Sequence, residues 1–305
     1  MTNTPRSTSP YRLAAQIERV AVIYTFAALL FPILAVLLSY HSFYFDLFSH
    51  FQLQYSVIWL ISALVMVLLK FYREAFAFIF FILAFSMPLI YPSTFASAPI
   101  YKPEIYFMNT NAFRTEAEYR QMANYISSYR PAKIALVEAH DDVVEELVQK
   151  GYPLQTSYTR GALSCAILSE EVPIRSTVIQ ATEYPICYAQ YADYHLIVVH
   201  PIPPLNPHNF EREKRYFTYI EEMIEELDSR DERFVLVGDF NSTSYSQLFS
   251  NSFHDYFVQN NYSWNSGSLL TIPIDHAMSN SEINVTMGDT VFSDHRGLFV
   301  EIDQD

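Results

Sequence analysis

The stretch Phe234-Val-Leu-Val-Gly-Asp239-Phe-Asn241 decides the fold of this chain. Its first four residues form an unbroken apolar run, which is typical of a buried strand. That strand delivers Asp239 and Asn241 to its carboxyl end, where polar side chains can converge on a ligand. Two later apolar segments each end in an Asp-His pair, Asp275-His276 and Asp294-His295. Because carboxylate and amide oxygens bind hard cations, the three endings together predict a site for a divalent cation and a phosphate.

Charge is distributed unevenly along the 305 residues. Residues 1–92 contain five Lys or Arg and three acidic residues, which leaves 14 basic and 30 acidic residues in 93–305, a net charge near −16. The hydrophobic residues are concentrated in the first part, and the second part is long enough for one well-buried domain. We therefore expect a membrane region at 1–92, a linker at 93–103 and a domain at 104–305.

The first part contains three long segments without a charged residue, at about 20–38, 53–69 and 75–91. A bilayer core of ~30 Å needs about 20 apolar residues, with ~17 as the lower limit, so each segment is predicted to be a transmembrane helix. The alternatives are a buried helical hairpin of a soluble protein and a cleaved signal peptide. Three such segments in succession argue against the hairpin, and the lack of a small-residue cleavage site argues against the signal peptide.

Basic residues predict the orientation of these helices. Arg6, Arg12 and Arg19 precede the first segment, Lys70 and Arg73 lie between the second and third, and Ser39–Gln52 contains no Lys or Arg. By the positive-inside rule, the amino terminus and the second connection are cytoplasmic. Three crossings then place the domain on the periplasmic or extracellular side of the inner (plasma) membrane.

Two connecting segments have a distinctive composition. The first connection carries six aromatic residues between Tyr40 and Phe51, which either settle at the outer membrane interface or pack under the external domain. The segment that follows the third helix, Pro92–Pro103, is short and contains three prolines. We expect it to hold the domain, and any active site in it, close to the bilayer surface.

The domain alternates strand-like and helix-like segments. Ile105–Met108 and Ile134–Val137 are apolar runs that end at Asn109-Thr110-Asn111 and at Glu138. Thr115 and Glu118 have the spacing of a capping box that opens a helix to about Arg130. The pattern predicts strands that feed a common rim, with helices on the outer faces. The segments alone allow a doubly wound α/β fold as well as a sandwich.

Six motifs follow one another in this domain. They are an Asn-bearing strand end, a Pro-x-x-Ile-x-Leu-x-Glu strand, a His-x-x-Pro-Pro turn, Gly-Asp-Phe-Asn, Ile-Asp-His and Ser-Asp-His. Their order resembles the endonuclease/exonuclease/phosphatase superfamily, the DNase I-like group that includes nucleases, inositol-polyphosphate phosphatases and neutral sphingomyelinases. The resemblance spans about 104–302. It implies a hydrolase of phosphoester bonds with a four-layer α/β sandwich, in which helices cover two packed and largely antiparallel sheets.

The resemblance also implies which residues hold a metal ion. Glu138 resembles the principal metal carboxylate, assisted by Asn109 or Asn111 and by Asp294. Oxygen ligands of this kind suit a hard cation, and the resemblance implies Mg²⁺ or Mn²⁺.

The remaining site residues are implied to bind phosphate and handle protons. His200 resembles the phosphate-contacting histidine of the nuclease branch, and Asp239 and Asn241 resemble the pair that orients the attacking water. His295 resembles the active-site histidine, with Asp275 fixing its tautomer; either Asp239 or His295 takes the proton from water. We expect Asp275 and His295 to form a hydrogen-bonded pair, because the apolar segments Thr271–Ile274 and Leu298–Ile302 can pair across the sheet.

Several other residues invite a chemical interpretation. His276 is expected to support the site from behind, and Trp264 either stacks on a substrate group or belongs to the core. Cys165 and Cys187 form either a disulfide or two buried thiols on neighbouring strands. No Gly-rich phosphate loop or Cys/His zinc spacing occurs, so no nucleotide cofactor is expected. Four histidines are expected to be structural or at the surface: His140, His195, His208 and His254.

The sequence therefore predicts a membrane-anchored, metal-dependent phosphoesterase with a lipid bilayer and a phosphoester substrate as partners. The net charge near −16 disfavours a long polyanion, because binding along a phosphate backbone needs clustered Lys and Arg. A small phosphodiester, a phosphomonoester or a phospholipid headgroup suits this charge better, and action on short fragments of nucleic acid stays open. The contrasting hypothesis is a catalytically silent membrane adaptor that keeps the fold, against which Glu138, Asp239 and His295 argue.

Overall fold

The computed structural model describes residues 10–86, 93–111, 114–181, 183–264 and 270–303. The amino-terminal part is helical. Helix α1 spans Pro10–Leu38, a 3₁₀ turn follows at Ser39–His41, and α2 (Phe43–Ser49), α3 (Gln52–Leu68) and α4 (Tyr72–Phe85) complete the region. Helices α1, α3 and α4 pack around the buried rings of Trp59 and Phe78.

The lengths of these helices decide how many can cross a membrane. By length and composition, Tyr11–His41 qualifies alone, and the bent pair Phe43–Ser49 and Gln52–Leu68 qualifies if its two members form one span. Alone, α3 has 17 residues and α4 has 14, about 26 and 21 Å against a core of ~30 Å. The described residues therefore support one of the three predicted transmembrane helices, or two with the bent pair. Residues 87–91 of the third predicted segment lie outside the described residues.

The rest of the chain alternates strands and helices, as the sequence predicts. The capping box at Thr115 and Glu118 is confirmed, since each side chain accepts a hydrogen bond from the other residue's backbone. Helices α5 to α8 span Glu116–Ser128, Asp141–Gln149, Pro207–Ser229 and Gln247–Phe253. The strands are β1 (Ser93–Thr94), β2 (Ile105–Asn109), β3 (Lys133–Val137), β4 (Leu154–Tyr158), β5 (Cys165–Ser169), β6 (Arg175–Ala181), β7 (Tyr184–Gln190), β8 (His195–Val199), β9 (Phe234–Asp239), β10 (Asn260–Asn261), β11 (Asp275–Ser279), β12 (Ile283–Thr290) and β13 (Arg296–Ile302).

Two sheets carry the domain. One has six strands in the order β12-β13-β2-β3-β5-β4, and the other has five in the order β11-β9-β8-β7-β6. Each contains one parallel pair, β2 with β3 and β8 with β9, and the other pairings are antiparallel. The sheets are therefore largely antiparallel, which excludes the doubly wound alternative.

The apolar residues sort into layers according to the two-residue period of a strand. Along β2, Ile105 and Phe107 face the other sheet, while Tyr106 and Met108 face helices α5 and α6. Along β9, Val235 and Val237 face the first sheet, and Leu236 faces the side covered by α7 and α8. Because both faces of each sheet are covered, the strands read as continuous apolar runs. The four-layer α/β sandwich is confirmed.

The arrangement of strands places the predicted site residues along one rim. Strands β2, β3, β8 and β9 end there, and β11 begins there, with Asp275 directly opposite Asp239 in the ladder. The expected pairing of Thr271–Ile274 with Leu298–Ile302 is wrong. Strand β11 belongs to the five-stranded sheet, whereas β13 belongs to the six-stranded one. Asp275 and His295 approach each other across the gap between the sheets.

A disulfide joins the same two sheets. Cys165 on β5 and Cys187 on β7 are bonded, with their Cα atoms 6.0 Å apart. Of the two alternatives left by the sequence, the structure has the disulfide, and it links facing strands rather than neighbouring ones.

The amino-terminal region and the segment predicted as a linker both pack on the domain. Ser93–Thr94 pairs with Asn260–Asn261, and the ring of Phe95 stacks on Tyr262 with centroids 4.2 Å apart. The aromatic connection behaves in the same way, because α2 packs beside α7 through the rings of Phe43 and Phe210. The domain is therefore fixed against the helices and does not swing on a tether.

Candidate active site

Strands β8 and β9 run parallel and very close to each other, which brings their two polar ends together. A Cβ at Gly238 would lie 2.3 Å from the carbonyl oxygen of Val199, so this position accepts glycine alone without a shift of the backbone. His200 follows Val199, and Asp239 follows Gly238. Both side chains are buried at the rim.

Four of the predicted residues meet around the carboxylate of Asp239. Asn109 Nδ2 donates to Asp239 Oδ2 over 2.9 Å and lies 3.4 Å from Glu138 Oε1. His200 Nε2 lies 3.7 Å from Asp239 Oδ2 and 3.9 Å from Glu138 Oε1. The backbone N–H of Asn241 donates to Asp239 Oδ1 over 2.9 Å. Asp239 and Glu138, which come from different sheets, thus share an amide and an imidazole.

His295 and Asp275 form the second part of the site. His295 Nδ1 lies 2.8 Å from Asp275 Oδ2, and its Nε2 faces Asp239 Oδ2 at 3.7 Å. The hydroxyl of Ser263 also donates to Asp275 Oδ2. Burial lowers the pKa of His295, but the carboxylates of Asp275 and Asp239 outweigh it and raise that pKa to about 9. The imidazole therefore holds its proton at neutral pH.

The same burial acts in the opposite sense on Asp239. Desolvation raises the pKa of this carboxyl, the positive charge of His295 lowers it, and the negative charge of Asp275 raises it again. The net direction is upward. Asp239 is a buried carboxylate that gains from any added positive charge.

A third group of residues closes the rim on the other side. Asn111 Nδ2 donates to Asp294 Oδ1 over 2.8 Å, and Trp264 Nε1 donates to Asp294 Oδ2 over 3.1 Å. Burial raises the pKa of Asp294, but these hydrogen bonds and nearby His295 outweigh it and hold that pKa below its usual value. Asp294 is therefore ionised at neutral pH.

Three residues at the rim have left-handed backbones although none is glycine. The φ angles of Asn111, Glu138 and Asn241 are 55°, 49° and 50°. A non-glycine residue in this region costs on the order of 1–3 kcal/mol, and such residues cluster at functional sites. The neighbouring strands and hydrogen bonds hold them in place. The strain brings the three side chains toward one cleft.

The donor set fits a divalent cation. Among the described residues, Asp239, Asp275 and His295 each offer one ligand atom, and these atoms lie within 4.8 Å of one another. This grouping shares no residue with the set that the resemblance implies, which is Glu138 with Asn109 or Asn111 and Asp294. Asp275 Oδ2 and His295 Nδ1 also contact each other in a hydrogen bond. None of the described residues that line the cleft is Lys or Arg.

Five further histidines lie apart from the reacting groups. His276 is fully buried, its Nε2 lies 3.0 Å from the carbonyl oxygen of Ser242, and burial lowers its pKa to about 4. It is a neutral residue behind the rim. His195 contacts Tyr188 and Glu232 at the opposite end of its strand, and His140 caps α6. His208 is exposed, and exposed His254 contacts Asp255.

One wall of the cleft was not predicted from the sequence. The cleft has a volume of about 360 Å³ and lies over Glu138, Asp239 and His295. Leu47, His50 and Phe51, from the amino-terminal region, line it together with Trp264, Ile272, Ile274 and the loop 203–205. The signal in the sequence was the aromatic connection, which contains no Lys or Arg. The sequence did not decide whether these aromatic residues contact the membrane or the domain. Trp264 lines the cleft and is half-buried, so it belongs to the site.

Comparisons with known proteins agree with this architecture. A family model described as Endonuclease/Exonuclease/phosphatase family matches residues 108–295, which is more than half of the chain. No curated protein matches the sequence. Three solved structures share the fold and cover 66% of this chain. They are a 3′ phosphatase, NExo, from Neisseria bound to a product DNA hairpin (17% identity, 100% of that chain, TM-score 0.54), a mannosyl-6-phosphatase from Bacteroides thetaiotaomicron (13%, 99%, 0.53) and TDP2 from D. rerio with a single-strand DNA product (14%, 98%, 0.52).

Proposed function

This chain belongs to the endonuclease/exonuclease/phosphatase family and is a hydrolase of phosphoester bonds, and we propose that it is membrane-anchored, depends on a divalent metal and acts outside the cytoplasm. The observation that carries the proposal is the buried group of Asp239, His295 and Asp275 beside Glu138, on a cleft that is open to substrate. The substrate is a small phosphodiester, a phosphomonoester or a phospholipid headgroup.

The cation would be held mainly by Glu138, with Asn109, Asn111 and Asp294 as further oxygen donors. These residues offer only carboxylate and amide oxygens, which favours Mg²⁺ or Mn²⁺ over softer metals. When bound, the ion would withdraw charge from a phosphoryl oxygen and stabilise the developing negative charge. The raised pKa of Asp239 suits a different role, because burial favours the form of this carboxyl that has taken up a proton.

The protein's own residues orient the phosphate and the attacking water. His295, oriented by its hydrogen bond to Asp275 and positively charged at neutral pH, presents Nε2–H to the same point that Asp239 faces. We therefore assign to His295 the stabilisation of a phosphoryl oxygen. Asp239 is then the acceptor of the proton from water. His200 and Asn241 contact the phosphate from the β8 and β9 side of the rim.

Three observations support the proposed membrane topology. Basic residues flank the amino-terminal end of α1 and the turn between α3 and α4, which predicts that both lie in the cytoplasm. Residues 39–54 bind the catalytic domain directly, so the chain leaves through α3 and returns through α4 to the same side. One crossing by α1 is therefore enough to give the external location. The disulfide is stable in an oxidising compartment and supports that side.

The function can be tested with two chromogenic esters and one conservative variant. Full-length protein in detergent is assayed on bis-p-nitrophenyl phosphate and p-nitrophenyl phosphate with Mg²⁺ or Mn²⁺. Glu138→Gln keeps the shape of the side chain but removes a metal carboxylate, and turnover should fall at least about 100-fold, the effect of losing roughly 2.7 kcal/mol of transition-state stabilisation. Full activity in this variant would refute the assignment.

The matched control is Glu145→Gln, which removes one exposed carboxylate from α6 on the outer face of the domain. This variant should keep wild-type turnover. Undiminished wild-type activity in excess EDTA would exclude the metal. No turnover of either ester under any metal would favour the silent adaptor.

A further inference from the structure

The catalytic cleft is shared between the domain and the amino-terminal helices. Leu47, at the end of α2, and Phe51, at the start of α3, form one wall of the cleft, while Asp239 and His295 form its floor. The cleft therefore lies where α1 ends and α3 begins. In a membrane-anchored chain this is the level of the bilayer surface.

Buried hydrogen bonds hold that wall in place. His50 Nδ1 lies 3.0 Å from the hydroxyl of Thr243, and the hydroxyl of Ser246 donates to Asp46. Gln54 Nε2 donates to the carbonyl oxygen of Thr271 over 3.0 Å. All but the last pair are buried, so these contacts are part of the fold and not a loose surface contact.

A second part of the cleft lining is apolar and exposed. Leu205 follows two prolines and is 72% exposed, although it lines the cleft. Half-buried Ile272 and buried Ile274 line the same cleft. An exposed leucine together with further apolar residues in a catalytic cleft is unusual for a site that binds only a polar ester.

The helices below the cleft expose apolar residues all round. Phe26 on α1, Leu64 on α3 and Phe76 on α4 are each at least 60% exposed. A helix bundle that is apolar on its outer surface is surrounded by lipid, not by water. The apolar wall of the cleft reaches this surface through Phe48, which lies between Leu47 and Phe51 in the chain, is 41% exposed and contacts the exposed ring of Phe31 on α1 with centroids 5.2 Å apart.

From this continuity we propose that the substrate is a membrane phospholipid with a phosphodiester headgroup, an inference that rests on the proposed function. Its phosphate lies between Asp239 and His295, and the first part of its apolar moiety lies between Leu47, Phe51 and Leu205. The remainder of the lipid's hydrocarbon stays in the bilayer. Nucleic acid fits this cleft poorly, because none of its described lining residues is Lys or Arg.

The reaction is a hydrolysis with a simple balance. The oxygen of water forms a new bond to phosphorus, and one P–O ester bond breaks. The water proton passes to Asp239, the leaving alkoxide takes a proton from solvent to become an alcohol, and Asp239 returns its proton to solvent. One phosphodiester and one water give one phosphomonoester and one alcohol.

The test compares two esters that differ only in an alkyl chain. Methyl p-nitrophenyl phosphate and hexadecyl p-nitrophenyl phosphate are each supplied to the full-length protein in the same dodecyl maltoside micelles, which contain no phosphoester that could compete. We expect kcat/KM for the hexadecyl ester to exceed that for the methyl ester at least about 100-fold, because burial of apolar carbon drives its binding. Leu205→Ser, which changes an exposed residue and leaves the fold intact, should lower this ratio about tenfold. Leu47→Ser, in the wall that α2 contributes, should lower the ratio by a similar factor.

The matched control is Val172→Ser. Val172 is 80% exposed and is not among the residues that line the cleft, so its replacement should leave the ratio unchanged. Equal use of the two esters by the wild-type protein would overturn the proposed lipid substrate but keep the phosphoesterase. A ratio unaffected by both leucine variants would overturn it as well. Failure of the proposed function is distinct, since neither ester would then be hydrolysed.

Discussion

The hydrogen bond between His295 and Asp275 lends itself to a direct measurement. Nδ1 and Oδ2 are 2.8 Å apart, and both side chains are buried. Asp275→Asn keeps the size of the side chain and removes its charge, so the imidazolium loses its nearest counter-charge. Burial lowers the pKa of His295, and in the variant only the remaining carboxylates oppose this effect. The pKa of His295 should therefore fall from about 9.

The size of the change follows from this geometry. An opposite charge within ~4–6 Å shifts a pKa by ~1–3, so the pKa of His295 in Asp275→Asn should lie between about 6 and 8. A hydrogen bond to a charged group contributes about 1.5–3 kcal/mol, and about 1.36 kcal/mol is a factor of ten in rate. If the bond acts in the transition state, kcat should fall about 10- to 150-fold.

The pKa is measured by NMR titration of the histidine rings in metal-free, full-length protein, and the signal of His295 is identified by its absence in His295→Ala. Turnover of bis-p-nitrophenyl phosphate is measured in parallel with metal present. The double variant, Asp275→Asn with His295→Ala, should turn over scarcely more slowly than His295→Ala alone. When two residues act as a unit, the losses of activity in their single variants do not add. The matched control is Asp255→Asn, which breaks the exposed pair of His254 and Asp255 and should change neither quantity.

Two outcomes would refute this reasoning. One is an unchanged pKa of His295 in Asp275→Asn, and the other is a pair of losses in turnover that add in the double variant.

The pH dependence of stability gives an independent check of the direction of the pKa shift. Because folding raises the pKa of His295 from 6.5 to about 9, its stabilising contribution is complete below the lower value and is lost as pH rises through the upper one. The difference in free energy of unfolding between the metal-free wild-type protein and His295→Ala should therefore shrink across this window.

Three further predictions concern the rest of the chain. Reporter fusions after Pro103 should be active for a reporter that works outside the cytoplasm and silent for a cytoplasmic one; the reverse pattern would contradict the proposed topology. Replacing both Cys165 and Cys187 by Ala should lower the free energy of unfolding by about 3 kcal/mol in urea titrations, because the bond closes a loop of 22 residues, and an unchanged midpoint would mean that the sheets hold together without it. Gly238→Ala should abolish most turnover and destabilise the fold, since the added Cβ meets the Val199 carbonyl at 2.3 Å, whereas Gly151→Ala, with φ of 97° but no atom near the new Cβ, should destabilise and leave turnover of the folded fraction intact.

Local sequence patterns predicted the parts of the fold that depend on neighbours in the chain. The capping box at Thr115 and the buried strand that ends at Asp239 both follow from residue types within one turn or one strand. The resemblance supplied the choice between a sandwich and a doubly wound sheet. Side-chain periodicity could not supply it, because strands buried on both faces look the same in either fold.

The errors arise where distant segments decide the outcome. Asp275 and His295 meet as expected, but they come from different sheets, and sheet membership depends on pairings that no local pattern fixes. The number of membrane spans was overestimated, because a run of uncharged residues sets an upper limit on the length of a helix and not its actual ends. Helix α4 ends at Phe85, before Ser86 and Pro88, and has 14 residues. The wall formed by Leu47 and Phe51 depends on the docking of α2, which no motif records.

The docking of α2 on the domain also limits how this chain can be divided. Thr243, Ser246 and the backbone N–H of Gln247 all find their partners on residues 39–50, and a domain without that segment would leave them unpaired. The hydrolase is thus not a portable module, because a chain that starts after residue 50 would also lack the side of the cleft that Leu47 lines. Evolution could exchange the amino-terminal helices for others only by rebuilding that side of the cleft.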